Sequence, residues 1–226
     1  MHRAAWLARQ YADLPGQPVV FTTFTRTLAE DIRQNLALLC EPRELARIKV
    51  VHLDQWASGL LARFGYKHSL LYDVKQRRGF WNDALSVMPA ELDFTAAFVR
   101  AEYERVVLAQ GCETAQDYMH ARRVGRGGRL GRKQRKALWP VFAEYQALLH
   151  AANLREPELA FREACQLIRE EKPALGIRSI VVDEAQDISG AAFALIRAAV
   201  SSVENDLFIV GDAHQRIYRH KVVLGR

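Results

Sequence analysis

The apolar run Ile180-Val181-Val182, broken at once by Asp183-Glu184-Ala185-Gln186-Asp187, constrains this chain more than any other stretch of it. Consecutive β-branched residues without polar alternation describe a strand covered on both faces, which points to a parallel strand inside an α/β sheet. Ligands of open α/β sheets collect just beyond the carboxyl ends of their strands. Asp183 and Glu184 are therefore expected to project into such a crevice. One carboxylate there can hold magnesium through its water shell, and its neighbour can accept a proton from an attacking water. The competing reading is an acidic turn that caps the next helix, because carboxylates are favoured at helix N-termini.

The flanking sequence supports a sheet built with crossovers. Residues 1 to about 12 have helical spacing, with Ala4, Leu7, Ala8 and Tyr11 on one face, and Leu14-Pro15-Gly16-Gln17-Pro18 breaks the pattern. Val19 to Phe24 then predicts a strand, Thr27 to Leu39 a helix, Ile48 to Leu53 a strand and Asp54 to Phe64 a helix. From about Tyr66 to Lys172 the periodicity is helical throughout, strongest in Gln76 to Val87, Thr95 to Ala109, Arg132 to Ala152 and Glu156 to Glu171. In the third of these, Leu138, Phe142, Tyr145 and Leu149 recur at three- and four-residue spacings and are expected to be core. The α/β pattern resumes with a strand at Arg178 to Val182, a helix at Ser189 to Val200 and a strand at Asp206 to Val210 that ends in Gly211-Asp212. Two strands thus end in acid-bearing loops.

Charge separates a second region from this one. The net charge is +6, yet residues 122 to 136 hold Arg122, Arg123, Arg126, Arg129, Arg132, Lys133, Arg135 and Lys136 with no acid. Removing those eight from 32 basic residues leaves 24 against 26 acidic ones, so the rest of the chain is close to neutral. Such a local excess suits a patch that tracks phosphates, and Gly125, Gly127, Gly128 and Gly131 suggest a mobile loop. A solvated charged loop with no partner would have the same composition. Three scattered cysteines without C-x-x-C spacing argue against disulfides and zinc. The absence of a long apolar window or signal-peptide pattern predicts a soluble, intracellular protein.

Taken in order, these pieces resemble the first motor domain of superfamily 1 DNA helicases of the UvrD/Rep type. Val182-Asp183-Glu184-Ala185-Gln186-Asp187 resembles the family's D-E-x-Q-D form of Walker B. Val210-Gly211-Asp212-Ala213-His214-Gln215-Arg216-Ile217-Tyr218 resembles its G-D-x-x-Q-x-I-Y motif III. Val20 to Ala29 is similar to motif Ia, and Val51 to Ala57 is a looser match to the T-F-H-x-x-A motif that follows it. The resemblance implies a RecA-like (P-loop NTPase) α/β parallel sheet, incomplete here, with an all-helical insertion subdomain. It divides the chain into residues 1–66 as the first part of domain 1A, 67–172 as a helical 1B-like DNA-binding insertion, and 173–226 as the second part of 1A. ATP and Mg2+ are the implied cofactors of the complete enzyme. Single-stranded DNA and duplex junctions are the implied partners, movement is 3′ to 5′, and the setting is cytoplasmic and nucleoid-associated.

Carried over by position, the resemblance gives Asp183 the magnesium role and Glu184 that of positioning and deprotonating water. Gln215 would sense the γ-phosphate and couple it to the DNA groove. Phe24, Thr25 and Arg26 would lie along single-stranded DNA, where hydroxyls and backbone N–H groups hold phosphates and an aromatic stacks on any base. Arg126, Arg129, Arg132 and Lys133, with Tyr218, His220 and Lys221, complete the expected DNA contacts. Where many family members carry tryptophan and arginine after motif III, this chain has His220 and Lys221, a weaker stacker and a point charge.

No G-x-x-x-x-G-K-[ST] occurs in the sequence, so the cradle for the β- and γ-phosphates is missing from it. The helix at Met1 resembles the one that follows the P-loop in the family, and the chain stops just after motif III. The expectation is a portion of a motor, inactive alone, with a sheet left exposed or rearranged where a strand is lacking. Two other readings stand beside it. One is a catalytically inactive, helicase-derived nucleic-acid-binding module. The other is a metal-dependent nuclease built on Asp183, Glu184, Asp187 and Asp212.

Overall fold

The computed structural model describes residues 1–23, 26–126, 128–171 and 175–212, the side chain of Arg26 excepted. In chain order its elements are α1 (His2–Gln10), β1 (Val19–Thr23), α2 (Arg26–Leu39), α3 (Pro42–Leu45), β2 (Ile48–His52), α4 (Leu53–Arg63), β3 (Ser69–Leu70), α5 (Val74–Leu85) and α6 (Ala96–Glu102). A π-helical stretch, Tyr103–Leu108, continues α6. Then follow α7 (Ala115–His120), α8 (Arg132–Ala151), β4 (Leu154–Arg155), α9 (Pro157–Glu171), β5 (Ser179–Val182), a 3-10 turn at Ala185–Asp187, α10 (Gly190–Ala198) and β6 (Leu207–Ile209). They form two compact units, one of residues 1–65 with 161–226 and one of residues 66–160. The division falls inside α9, upstream of the expected end at residue 172.

The first unit is an α/β layer around a four-stranded parallel sheet of order β2-β1-β5-β6. All five residues of β1 and all four of β5 are buried. That is why their sequences are continuous runs instead of alternating ones. Val19 and Phe21 of β1 pack in one cluster with Ala4, Leu7 and Ala8 of α1 and Ala29, Ile32 and Leu36 of α2. The chain steps from β1 outward to β2 and later returns to β5 on the other side of β1. The strand order therefore reverses between β1 and β5, and a crevice at such a reversal is where α/β sheets bind ligands. The β6 edge of the described sheet leaves Phe208, Ile209 and Val210 exposed.

In the second unit the core is aromatic. Trp81 of α5 stacks on Tyr145 of α8 with ring centroids 4.1 Å apart, and Tyr103 meets both edge-on at 5.2 and 5.1 Å. Leu138, Phe142, Tyr145 and Leu149 are all buried, as their spacing predicts. The unit is not all-helical: β3 and β4 pair in parallel, Ser69 with Leu154 and Leu70 with Arg155, where the chain enters and leaves it. Two-residue strands are too short for a period-2 signal, so the sequence reads through them. Tyr118 anchors α7 from beneath, and that short helix begins with a Thr114/Asp117 capping box.

Candidate functional site

The crevice between β1 and β5 is closed at its base by a backbone hydrogen bond from Asp183 N–H to the Thr22 carbonyl, 3.0 Å. Asp183 and Glu184 sit half-buried at the mouth, whereas Ala185, Gln186 and Asp187 are buried beneath them. Glu184 adopts a left-handed backbone, φ 53° and ψ 40°, which non-glycine residues rarely do and which is costly enough to persist mainly at sites of function. That conformation ends the strand abruptly and lets the 3-10 turn begin at the next residue. Its own N–H donates to Asp183 Oδ1 at 3.0 Å, so the neighbouring carboxylate stabilises the turn.

Beside them lies the end of β6. Val210 N–H donates to the Val182 carbonyl (2.8 Å) and Ala185 N–H donates back to the Val210 carbonyl (2.9 Å), which carries the parallel ladder past the strands proper. Gln186 completes the join. Its Nε2 donates to the Glu184 carboxylate, and its Oε1 accepts the Asp212 backbone N–H at 3.0 Å. The hydroxyls of Thr22 and Thr23, both buried at the end of β1, have no hydrogen-bond partner among the described residues. Buried polar atoms without partners are uncommon and mark places where water or a ligand oxygen is to be expected.

A magnesium ion bound through its water shell and a nucleotide's phosphates needs only one or two protein carboxylates. Asp183 fits that requirement, with the Thr22 and Thr23 hydroxyls at the adjacent strand end. Among the described residues no group of three or more His, Cys, Asp and Glu side chains is placed to form a metal cage. Asp183, Glu184, Asp187 and Asp212 are thus not gathered into a two-metal cluster of the nuclease kind.

The basic segment differs from its expectation. Glu102, fully buried at the junction of α6 and the π-helical stretch, accepts from Arg123 Nε (2.7 Å) and Nη2 (3.0 Å), from Arg126 Nε (3.0 Å) and from the Tyr118 hydroxyl (3.1 Å). Burial pushes the Glu102 carboxyl up, but Arg123, then Arg126 and Tyr118, outweigh it and hold it below the ordinary carboxylate range. Arg126 also donates to the Phe98 carbonyl (3.2 Å) and lies over the Phe98 ring. Its side chain retains only 9% of its exposure. Arg126 is therefore a structural cation and not an open phosphate contact, because a buried carboxylate requires its charge.

Further hydrogen bonds tie the two ends of the segment. Gln110 holds the Arg122 backbone from both sides, donating to its carbonyl at 2.8 Å and accepting its N–H at 2.9 Å. Arg135 donates to the carbonyls of Tyr118, Met119 and Ala121 at the end of α7. What remains open is a narrower set: Arg122, Arg129, Arg132, Lys133 and Lys136 are exposed and form no ion pair among the described residues. Arg132, Lys133 and Lys136 follow the first turns of α8. Of the other expected contacts, Phe24, Thr25, Gln215, Tyr218, His220 and Lys221 lie outside the described residues, as does the Arg26 side chain.

Gln186, Gly211, Glu102 and Tyr118 escaped sequence reasoning as site-forming residues. One signal was available for Glu102, which falls with Val99 and Val106 on the apolar face of its helix. A parallel sheet whose order reverses beside an acidic strand end is an α/β arrangement that binds ligands at the reversal. The profile of the UvrD/REP helicase N-terminal domain matches residues 1–222, and the chain belongs to that family. Its members are helicases, which in general use nucleotide and bind nucleic acid. A search of curated proteins returned no match. No helix of the described residues is long and apolar enough to cross a membrane.

Proposed function

We propose that this chain supplies the water-activating acids and part of the DNA surface of an ATP-dependent helicase that moves 3′ to 5′ on single-stranded DNA. The observation that carries the reading is the pair Asp183 and Glu184 at the β1/β5 reversal, with Glu184 held in a strained turn. Asp183 would bind magnesium through water, and the metal would neutralise charge on the transferring phosphoryl group. Glu184 would accept the proton of the attacking water. Gln215 would register the γ-phosphate, and Phe24, Thr25, Arg26, Tyr218, His220 and Lys221 would line the single strand. The exposed cations Arg129, Arg132 and Lys133 would hold backbone phosphates beside it. Domains 1A and 1B correspond in this reading to the sheet unit and the helical unit.

The sequence contains no P-loop, so the chain by itself is expected to give no ATP turnover. Joined to a P-loop strand and a second motor domain from a UvrD-like helicase, it should hydrolyse ATP with magnesium and single-stranded DNA. Glu184→Gln should then lower kcat by roughly 10²-fold or more while nucleotide binding persists, as expected for loss of a general base. Full turnover in that variant would remove Glu184 from the proposed role. Retained magnesium-dependent hydrolysis by Asp183→Ala would do the same for the metal site.

A second reading, a nucleic-acid-binding module without catalysis, is favoured by the open cations of α8. It predicts salt-dependent DNA binding by the chain with no effect of ATP or magnesium.

A further inference from the structure

We propose that Gln186 is a positioning residue that ties the Glu184 carboxylate to the chain following β6, so that displacement of Gly211-Asp212 is felt at Glu184. The proposal rests on the reading of Glu184 as the group that activates water, and adds the part that would hold and move it. Gln186 is buried, and both ends of its amide are used: Nε2 donates to Glu184, while Oε1 accepts Asp212 N–H at 3.0 Å. The two neighbours impose opposite demands, since an ionised carboxylate can only accept and a backbone N–H can only donate. A primary amide meets both at once. A carboxylate, an amine or an apolar side chain at this position meets at most one.

Close packing turns this bridge into a mechanical link. A Cβ placed on Gly211 would lie 2.7 Å from Gln186 Oε1, 3.0 Å from Gln186 N and 3.1 Å from Ala185 N. Gly211 thus runs directly against the Gln186 backbone as well as its amide. Ala185 N–H, one residue from Glu184, is itself bonded to the Val210 carbonyl. The stretch that follows β6 therefore cannot shift without rotating the amide or breaking one of its two bonds. Glu184, already in an uncommon backbone conformation, has its side chain oriented by that amide. The residues just after Asp212 are those to which the family resemblance assigns the γ-phosphate and DNA contacts. Gln186 is so placed that a change there reaches the water-activating group through one side chain.

The test uses the 226-residue chain labelled with 15N, without nucleotide or DNA, and follows the Asp212 backbone amide by NMR. Gln186→Leu should speed exchange of that amide by about tenfold or more, because its acceptor is gone. Glu184→Ala, which alters only the far end, should shift the Asp212 signal in the Gln186 chain and leave it unmoved in the Gln186→Leu chain, a non-additivity that reports coupling through the bridge. Gln186→Met, which keeps the length of the side chain without either polar end of the amide, provides a second variant should the leucine disturb folding. It should speed Asp212 exchange and abolish the response to Glu184→Ala in the same way. An Asp212 amide indifferent to Gln186→Leu, or one that responds to Glu184→Ala equally in both backgrounds, overturns the proposal. Since no hydrolysis is measured, this outcome is distinct from failure of the Glu184 role, which would appear as full turnover in Glu184→Gln.

Discussion

The acidic end of β5 and the basic segment of residues 122–136 are the two charge concentrations of this chain, and they use their charge in opposite ways. At the end of β5 the fold accepts strain to hold carboxylates half-exposed: Glu184 is left-handed, and neither Asp183 nor Glu184 forms an ion pair among the described residues. In the basic segment the fold withdraws charge from the surface. Arg123 and Arg126 are spent on the buried Glu102, and Arg135 on helix-end carbonyls. A charge cluster free of local counterions is therefore a site only where the tertiary structure brings none. Composition placed both clusters equally, and only packing separates them.

Removal of Glu102 should produce the largest effect that separates the regions. Glu102→Ala leaves two arginines nearly buried and unpaired, and should destabilise the protein by about 3–5 kcal/mol in denaturant unfolding. Asp183→Ala, at the half-exposed site, should cost about 1 kcal/mol, the loss of the one hydrogen bond it accepts from Glu184 N–H. Equal costs for the two would erase the contrast. Gly211→Ala comes next, because the added methyl meets backbone nitrogen atoms that cannot rotate aside. A loss of about 1–3 kcal/mol is expected by the same measurement.

Glu184→Gly should be more stable than Glu184→Ala by about 1 kcal/mol, because both lose the carboxylate that Gln186 bonds and only glycine relieves the left-handed turn. Equal stability of the two would show that the turn carries no strain. The smallest expected effect lies in the pH dependence of stability, where two buried glutamates act in opposition. Glu102 is held below the ordinary carboxylate range, so its contribution is present above that range and is lost as pH falls through its folded value. Glu156 is pushed up by burial, against the opposing pull of Arg77 and the Tyr145 hydroxyl that donates to it at 2.6 Å. Its contribution is present when it is protonated and is lost as pH rises through its raised value. Glu102→Gln should flatten the acid limb of the stability profile, and Glu156→Gln the loss that follows at higher pH. Unchanged limbs in both would contradict the pairings.

How far the sequence could be read follows from the range of the interactions involved. Strand β5 and its acids were legible because burial on both faces and the stop at Asp183 are written in adjacent residues. The same holds for Leu138 to Leu149, whose helical spacing is local. Gln186 was not legible as a bridge, since its second partner, Asp212, is fixed only by the register that sets Val182 opposite Ile209. The neutralisation of Arg123 and Arg126, in the loop after α7, depends on Glu102, 21 and 24 residues earlier at the end of α6. The π-helical stretch at Tyr103–Leu108 shifts the helical face directly after Glu102, and a 3.6-residue period cannot register such a shift.

The division of the basic segment into scaffold and DNA-facing cations is tested most directly by one titration. Binding of the chain to oligo(dT) should weaken linearly in log–log form with added salt, each phosphate contact contributing roughly 0.7 to the slope. Neutralising Arg129, Arg132, Lys133 and Lys136 together should leave the fold intact, weaken binding and make the slope shallower by about 2 to 3. A slope and affinity unchanged by the four substitutions would contradict the account, and would leave the open cations of this segment as no more than a solvated surface.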